Sequence, residues 1–373
     1  MKLIIEETNL IPQYRIENIS PKGEVLLFDI ETTGLKKETT QIYLIGCGYF
    51  NAAGNFEVRQ WLAENTLDER DVLEAFIEFS EAFNTLIHFN GDGFDIPYVA
   101  YKADYYGFDF SFDRFESIDI YKKIKGYKRF FGLERMNQTS VEAFLEIKRK
   151  DRMNGGLLIP YYFEYEKTGD PECERLLLLH NNDDVKGMIQ LAAALSYADM
   201  YEGKFTFAGK EAACDTVILE FTLENAVPRE VNYEEDGLSI CVSENLLQIN
   251  IRENEGEARI PVRNYQDYFY LPAEDKIIHK DVAAFVDKKF RKKATAKNCY
   301  LKKMGVYVPS FGMDSSEDEQ ARICKTSYMF PDERGRMQPY LPAADILEAS
   351  AGVLESYAAH ILQGILTKKP SKK

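Results

Sequence analysis

The sequence predicts an α/β domain, in which helices flank a mixed sheet, followed by a C-terminal α+β region. Up to about residue 200, apolar strands alternate with amphipathic helices. The turn NAAGN (51–55) separates two of the strands and predicts an antiparallel hairpin. After residue 200, short strands alternate with turn residues instead. We therefore expect two domains, 1–200 and 201–373.

The elements of the first domain follow from apolar periodicity. VLLFDI is a continuous apolar run apart from one acid, which is typical of a buried strand. In DVLEAFIEFSEAF, the residues Leu73, Phe76 and Ile77 have helical spacing. By these criteria we expect strands at 25–30, 42–50, 56–62 and 85–90, helices at 71–83, 96–107 and 174–200, and a strand passing into a helix at 117–124.

The second domain shows strict alternation in LLQINIR (246–252), which is typical of a strand with one solvated face. Further strands are expected at 215–223, 238–243 and 258–262, and a helix at 344–366. This mixture indicates an antiparallel sheet with a closing helix, hence an α+β region.

The formal charge is −15, from 46 Lys and Arg against 61 Asp and Glu. A chain this acidic does not spread non-specifically over nucleic acid, so a polyanionic partner requires a local basic surface or metal ions. The scattered cysteines argue against a zinc site and against disulfides. The start of the chain lacks signal-peptide features and no apolar run is long enough to span a bilayer, so we expect a cytoplasmic protein with no membrane partner.

The first motif is VLLFDIETTGL (25–35). Side chains in a strand alternate between faces, so Asp29 and Glu31 point the same way. Two desolvated carboxylates on one face repel each other, and a bound Mg²⁺ or Mn²⁺ compensates them. The alternative is a pair of solvated acids at the end of a strand.

The second motif is HFNGDGFDIPY (88–98). Its strand runs into the turn residues Asn90 and Gly91, and Asp95 stands at the start of a helix. Asp95 is either a metal ligand or the N-cap of that helix. Asp92 is interpreted as a turn residue and His88 as a buried structural histidine.

The third motif is LHNNDDVKGM (179–188). On one helix, His180 and Asp184 lie on the same face because their spacing is i, i+4. Such a histidine can take a proton from a water that a carboxylate-bound metal has acidified. The alternative is a helix break at Asn181 and Asn182, which would leave the aspartates in the first turn of a new helix.

FDIETTGL, FNGDGFDIPY and HNNDDV, in this order, resemble the motifs of the DEDD 3′–5′ exonuclease superfamily on the ribonuclease H-like fold. Within it the chain resembles the bacterial YprB-type branch, and it shares the FDIP(Y) form with family B polymerase proofreading domains. The resemblance covers roughly residues 20–200. It implies that Asp29, Glu31, Asp95 and Asp184 bind two Mg²⁺ or Mn²⁺ ions about 4 Å apart, which bridge the scissile phosphate and activate a water.

The third motif departs from the family pattern. The family has a tyrosine four residues before the last aspartate or a histidine five residues before it, whereas His180 stands four before Asp184. We take His180 as the catalytic group that positions or deprotonates the water. The alternative, with Asp183 as the ligand, fits neither spacing.

The resemblance also implies contacts to the terminal nucleotide. After Glu31, the residues that line the family's nucleotide pocket correspond to Thr32, Thr33 and Leu35. For Asn90 and Phe94, substrate contact competes with a structural role.

Two basic segments are candidates for holding a phosphate backbone. KKFRKKATAKNCYLKK (288–303) contains no acid. The alternative is a solvated amphipathic helix with Phe285 and Phe290 facing inward. KRKDR (148–152) is the second candidate.

The expected function is therefore a metal-dependent 3′–5′ exonuclease that hydrolyses DNA or RNA. One alternative is a catalytically inactive ribonuclease H-like module that binds nucleic acid or a protein partner, with the region 201–373 providing the binding surface. Another is an endonuclease on the same fold. No particular protein partner follows from the sequence.

Overall fold

The computed structural model describes residues 1–367, except 152, 154, 314–326 and 333. The chain divides into two compact units. The first comprises Met1–Ala198 with Val227–Arg229, and the second comprises Asp199–Ala226 with Glu230–Lys373. No helix in the described ranges is both long and apolar enough to cross a membrane.

The first unit is built on a six-stranded mixed sheet of order β1-β4-β3-β2-β5-β6. The first four strands in this order are antiparallel, whereas β2, β5 and β6 are parallel. The carboxyl ends of β2, β5 and β6 therefore share one edge. The strands are β1 (Lys2–Thr8), β2 (Val25–Thr32), β3 (Ile42–Phe50), β4 (Phe56–Leu62), β5 (Thr85–His88) and β6 (Glu116–Asp119).

Helices cover the sheet, as predicted for an α/β domain. They are α1 (Glu69–Ser80), α2 (Asp95–Tyr106), α3 (Ile120–Ile124), α4 (Gln138–Phe144), α5 (Gly155–Thr168), α6 (Pro171–Leu191) and α7 (Leu195–Tyr201). The long helical stretch expected at 174–200 bends at a single 3₁₀ turn, Ala192–Ala194. The sequence patterns missed β1, α4 and α5. The edge strand β1 is largely exposed and therefore lacks a clear apolar pattern. Helix α5 is apolar, but its two initial glycines and Pro160 argue against a helix at the level of sequence.

The two faces of β2 have different environments. Leu26, Phe28 and Ile30 belong to the main hydrophobic core, where Phe28 stacks on Phe76 of α1 with ring centroids 5.6 Å apart. Asp29 and Glu31 alternate with these residues and face α6, whose Asn181 contacts Asp29. The strand is thus anchored by an apolar face and presents its acids on the other.

The second unit is rich in strands, in agreement with the predicted α+β region. A three-stranded sheet contains β7 (Phe205–Ala213), β8 (Thr216–Glu235) and β9 (Leu238–Arg252). A closed barrel follows, formed by β10 (Asn254–Pro261), β14 (Tyr300–Pro309), β16 (Met337–Pro342) and β15 (Tyr328–Pro331). A small sheet contains β11 (Tyr268–Leu271), β12 (Lys276–His279) and β13 (Lys292–Lys293), and the helices are α8 (Lys280–Ala283), α9 (Ala343–Glu348) and α10 (Ala351–Thr367).

Two element boundaries expected in the second unit were wrong. The expected strands 238–243 and 246–252 are both confirmed, but they form the single strand β9, which continues through residues 244–245 although Glu244 has a φ of 52°. The expected helix 344–366 is divided between α9 and α10, because Ala349 has an extended ψ of 151°.

The amphipathic-helix alternative for 288–303 is also wrong. The segment contains a 3₁₀ turn at Lys288–Phe290, the short strand β13 and the start of β14. Phe285 and Phe290 are 91% and 57% exposed, so neither faces a core. Helical spacing of aromatic and basic residues did not decide the local structure here.

A buried ion pair joins three elements of the first unit. Glu69 of α1 accepts hydrogen bonds from the backbone N–H of Ile42 over 2.7 Å and from the Tyr106 hydroxyl over 2.7 Å. Lys102 of α2 lies with its Nζ 3.0 Å from the same carboxylate, and both side chains are almost fully buried. The Glu69 charge is therefore compensated only while Lys102 is present.

We predict that Lys102→Met lowers the free energy of unfolding by about 3–5 kcal/mol, because it leaves a buried, unpaired carboxylate. Urea denaturation followed by circular dichroism measures this loss. Adding Glu69→Gln to the variant should restore part of it.

The matched control is Arg175→Met. Arg175 pairs with Glu172 on the solvent face of α6, where both side chains are more than half exposed. We expect no measurable change for this variant. A loss for Lys102→Met no larger than that for Arg175→Met would contradict the role of the buried pair.

Candidate functional site

The first two acids lie near the carboxyl end of β2. The pairing of β2 with β3 shifts register between Glu31 and Thr32, so Tyr43 of β3 is the extra residue of a β-bulge. Bulges re-aim side chains and are common beside active sites. The Tyr43 hydroxyl is buried, and desolvation followed by the charges of Glu31 and Asp29 raises its pKa well above the ordinary range.

Asp95 is the first residue of α2. The N-cap of this helix is Phe94, and the Asp95 carboxylate makes no capping bond. Its Oδ1 instead accepts a hydrogen bond from the backbone N–H of Ile30 over 3.3 Å. The N-cap alternative is therefore wrong, and the third acid reaches across to the strand of Asp29 and Glu31.

His180 and Asp184 lie on one face of α6, which runs unbroken from Pro171 to Leu191. The helix-break alternative is therefore wrong. His180 Nε2 lies 3.3 Å from Asp184 Oδ2 and 3.5 Å from Glu31 Oε1. Glu31, His180 and Asp184 each offer one donor atom, and these three atoms all lie within 4.8 Å of one another.

Asp151 holds the other side of the His180 ring. Its Oδ2 lies 2.6 Å from His180 Nδ1, and both residues are buried. An ionised carboxylate only accepts hydrogen bonds, so Nδ1 carries the proton of this contact. Nε2 is therefore the nitrogen that faces Glu31 and Asp184. The sequence patterns missed Asp151, because it lies 29 residues before its partner.

Three residues orient the Asp184 carboxylate. Its Oδ1 accepts hydrogen bonds from Arg149 over 2.7 Å and from Gln138 Nε2 over 3.3 Å. Arg149 is itself bound by the buried Glu142 over 3.0 Å. Arg149 belongs to the basic segment 148–152, so its charge serves the acidic cluster and is not free for a phosphate backbone; Arg152 lies outside the described residues.

Asp183 binds the backbone of a neighbouring loop. Its Oδ2 accepts backbone hydrogen bonds from Lys150 and Asp151, each over 2.7 Å. These contacts tie the loop that carries Asp151 and Arg149 to α6. Asp184, not Asp183, therefore faces the cluster of Glu31 and His180.

Asn181 is fully buried between α6 and the sheet. Its Nδ2 donates to Asp29 Oδ2 over 2.9 Å, and its Oδ1 accepts from Gln60 Nε2 over 2.8 Å. Gly46 of β3 makes room for it, since a Cβ there would lie 2.0 Å from Asn181 Oδ1. The only sequence signal for this contact is a glycine within an otherwise apolar strand.

Burial and mutual repulsion dominate the electrostatics of the acids. Desolvation, followed by the charges of Asp184 and Asp95, raises the pKa of Asp29 and of Glu31 well above the ordinary range. Desolvation raises the pKa of Asp95 to about 7. Carboxylate oxygens are the ligands that Mg²⁺ and Mn²⁺ prefer, so a divalent cation fits this cluster and would relieve its repulsion.

The residues expected to contact substrate differ in exposure. Leu35 is 85% exposed, and Thr32 is half-buried with its hydroxyl donating to the Gly34 carbonyl. The Thr33 hydroxyl accepts from the Gln41 N–H and shapes the turn. Asn90 is exposed, whereas Phe94 is half-buried against the ring of Tyr98.

His88, Asp92 and Asp119 form a second cluster with donor atoms within 4.8 Å of one another. His88 Nδ1 accepts from the Gly91 N–H, and its Nε2 contacts the Ser117 hydroxyl. Burial lowers the pKa of His88. Asp92 is paired with Lys122. Both ring nitrogens of His88 thus have partners, whereas Asp119 Oδ2 is buried without a hydrogen-bond partner among the described residues.

Comparison with known proteins gives one family match. Residues 26–196 match the RNase H superfamily. A solved structure titled "ExoI/SSB-Ct complex" is similar to 92% of this chain and 74% of that chain, at 9% identity and a TM-score of 0.28, which is too low to support an argument. No curated protein matches the chain.

The matched residues include every strand of the mixed sheet except β1, together with all the acids of the cluster. The region 26–196 therefore has the ribonuclease H-like fold.

Proposed function

We propose that this protein is a metal-dependent 3′–5′ exonuclease acting on DNA or RNA. The ribonuclease H-like region indicates a nuclease-type hydrolase that binds nucleic acid. The direction of digestion and the requirement for two ions rest on the resemblance of the three motifs to the DEDD superfamily.

The observation that carries the proposal is the convergence of Glu31, His180 and Asp184, with donor atoms within 4.8 Å, beside Asp29 and Asp95. Structural acids are normally paired with a cation or solvated. Here Asp184 is paired with Arg149, whereas Asp29, Glu31 and Asp95 are desolvated and repelled by neighbouring carboxylates. Such a site is stable at neutral pH when it holds divalent cations.

Asp29, Glu31, Asp95 and Asp184 would hold the metal ions. Bound Mg²⁺ or Mn²⁺ supplies positive charge for a scissile phosphate and a lowered pKa for a coordinated water. The positive charge also accounts for the binding of a polyanion by a chain of net charge −15.

The side chains around the acids have distinct tasks. Asp151 orients the His180 ring so that Nε2 can accept a proton from the attacking water. Arg149 and Gln138 hold Oδ1 of Asp184, which leaves Oδ2 directed towards His180 and the metal position. The exposed Leu35, four residues after Glu31, supplies an apolar contact for the terminal nucleotide.

The second domain, 201–373, is proposed to bind substrate or a partner through the segment 288–303. Lys288, Lys292, Lys293 and Lys297 are exposed there. Lys302 is instead paired with Asp275 and Glu257, and Arg291 packs over the ring of Phe269. The unpaired lysines are the ones suited to phosphate contacts.

We predict that the wild-type protein shortens 5′-labelled DNA or RNA oligonucleotides from the 3′ end when Mg²⁺ or Mn²⁺ is present. Asp95→Asn should lower the rate by at least about 100-fold, because it removes a metal-binding charge. Gel analysis of the products gives both rate and direction.

The matched control is Asp104→Asn, since Asp104 is an exposed acid on the same helix as Asp95. Its rate should equal that of the wild type. A covalently closed circular oligonucleotide should stay intact, because it has no 3′ end. Its cleavage would show that the protein is an endonuclease and not an exonuclease. Equal rates for Asp95→Asn and the wild type would overturn the assigned site.

We predict that His180→Ala lowers the hydrolysis rate by about 10²- to 10⁴-fold, the usual contribution of a general base. Asp151→Asn should lower it by about 10- to 100-fold, because the ring loses its orientation. Since Asp151 acts through His180, the double variant should equal His180→Ala alone. Effects that multiply in the double variant would show that Asp151 acts independently.

We also predict that divalent cations stabilise the protein most at alkaline pH. The raised pKa of Asp95, about 7 in the folded protein against 3.8, means that the metal-free fold loses stability as pH rises between these values. In EDTA at pH 8, Asp95→Asn should therefore raise the melting temperature by roughly 2–8 °C, with no gain at pH 4. Differential scanning calorimetry checks this.

Adding Mn²⁺ at pH 8 should raise the melting temperature of the wild type, because the ion binds only the folded protein. The rise should be much smaller for Asp95→Asn. Asp104→Asn again serves as the control that responds like the wild type. An equal response of all three proteins would contradict metal binding at this cluster.

The second candidate function is a catalytically inactive binding module. The ion pair of Arg149 with Asp184 favours it, because one acid of the cluster already has a cationic partner. Titration calorimetry with Mn²⁺ distinguishes the two. Binding that Asp29→Asn abolishes supports the nuclease, whereas the absence of binding supports the inactive module.

A further inference from the structure

A cleft of about 400 Å³ lies beside the acidic cluster. Its lining residues are Phe89, Asn90, Tyr121, Met136, Asn137 and Gln138. Gln138 connects it to the cluster, since its Nε2 lies 3.1 Å from the Asp184 carbonyl oxygen and 3.3 Å from Asp184 Oδ1. The cleft is therefore one side chain away from the proposed reaction centre.

The topology explains this position. Phe89 and Asn90 follow β5, and Tyr121 follows β6, at the edge where parallel β2 also ends. A nucleic-acid strand whose phosphodiester lies at the acids on β2 can therefore continue along this edge of the sheet. Ligands in open α/β sheets bind at the carboxyl ends of the strands.

Two aromatic rings form one wall of the cleft. Phe89 and Tyr121 lie with ring centroids 5.8 Å apart and planes inclined at 55°. Both side chains are half-buried, so each ring is fixed on one side while part of its surface stays open. Open aromatic surface beside a nuclease centre suits stacking with an unpaired base.

Amide groups supply the polar part of the lining. The Asn90 backbone, with a φ of 62°, is held by its N–H donating to Asp119 Oδ1 over 2.9 Å. The side chain of Asn90 is exposed. Asn137 Oδ1 caps α4 by accepting from the Ser140 N–H, and the rest of this exposed side chain is an amide nitrogen that can donate. Carboxamides both donate to and accept from the edges of bases.

A basic segment, 122–135, adjoins the cleft. It contains six cations, Lys122, Lys123, Lys125, Lys128, Arg129 and Arg135, against the single acid Glu134. The Lys125 ammonium lies 5.9 Å from the centroid of the Tyr121 ring, and Lys125 and Lys128 are exposed. In a chain of charge −15, this is a local surface suited to a phosphate backbone.

We propose that this cleft binds an unpaired base of the single strand whose 3′ end occupies the acidic cluster. This inference rests on the proposed function, which identifies the bound strand as the nucleic-acid substrate. Tyr121 and Phe89 stack on the base, Asn137 and Asn90 contact its edge, and Lys125 binds the adjoining phosphate. The substrate class is therefore a single-stranded 3′ end, because a base that is paired and stacked in a duplex does not present its face and edge to these side chains.

The test measures binding of a fluorescein-labelled single-stranded oligonucleotide by anisotropy. It uses the full chain carrying Asp95→Asn with Mg²⁺, so that the strand stays intact. Adding Tyr121→Ala should weaken binding about 5- to 100-fold, the range for one lost stacking contact. Tyr121→Phe retains the ring and should bind within about twofold of the parent.

The matched control is Tyr105→Ala, because Tyr105 is an exposed tyrosine on α2 and does not line the cleft. Its affinity should equal that of the parent. Lys125→Gln provides a second variant, for which the slope of log affinity against log salt should fall by about one. This variant keeps the test decisive if Tyr121→Ala fails to fold.

A scan with abasic nucleotides locates the base. The parent should lose affinity when one particular position, counted from the 3′ end, is abasic, whereas Tyr121→Ala should be insensitive at that position. Identical abasic profiles for the two proteins, equal affinities, or no binding of the strand by the parent would each overturn the proposal.

The two proposals fail differently. Digestion by the wild type together with no effect of Tyr121→Ala would remove the cleft and keep the nuclease. An abasic position that depends on Tyr121, without digestion by the wild type, would keep the cleft as a nucleic-acid site and remove the nuclease.

Discussion

The hydrogen bond from Asn181 to Asp29 determines the geometry of the acidic cluster. It holds α6 against the sheet, and Gly46 allows the approach because any side chain there would collide with Asn181. The same helix carries His180 and Asp184 one turn apart, so this contact brings them to the acids of β2. The energy of a hydrogen bond between buried groups depends steeply on the positions of the two groups. This contact therefore favours one position of α6 against the sheet.

The acids that meet there oppose one another, and their compensation comes from outside the three sequence motifs. Arg149 neutralises one oxygen of Asp184, and Asp151 orients the ring of His180. Both lie on the loop after α4, which Asp183 ties to α6 through two backbone hydrogen bonds. Asp183 thus supports the cluster indirectly, because it fixes the loop that carries Arg149 and Asp151.

The basic residues of this acidic chain fall into groups with different partners. Glu142 and Asp184 neutralise Arg149, whereas the segment 122–135 connects Tyr121 and Met136, which line the cleft. The segment 288–303 belongs to the other compact unit, and all seven of its lysines are exposed. Positive charge in sequence is therefore a poor guide to a phosphate path, because an arginine surrounded by buried carboxylates is already neutralised.

The sequence alone determined the alternation of elements in the first unit and the common face of Asp29 and Glu31. It also determined that His180 and Asp184 lie one turn apart on one helix face. These features depend only on neighbours within four residues. Only the tertiary structure decided that Asp95 bonds Ile30 instead of capping its helix, that Asp151 and Arg149 join the cluster, and that Phe89 and Tyr121 share a cleft. It also decided the course of 288–303, where strand pairing prevailed over helical spacing. Each of these contacts joins residues far apart in sequence, and their energies come from burial and pairing that no local pattern encodes.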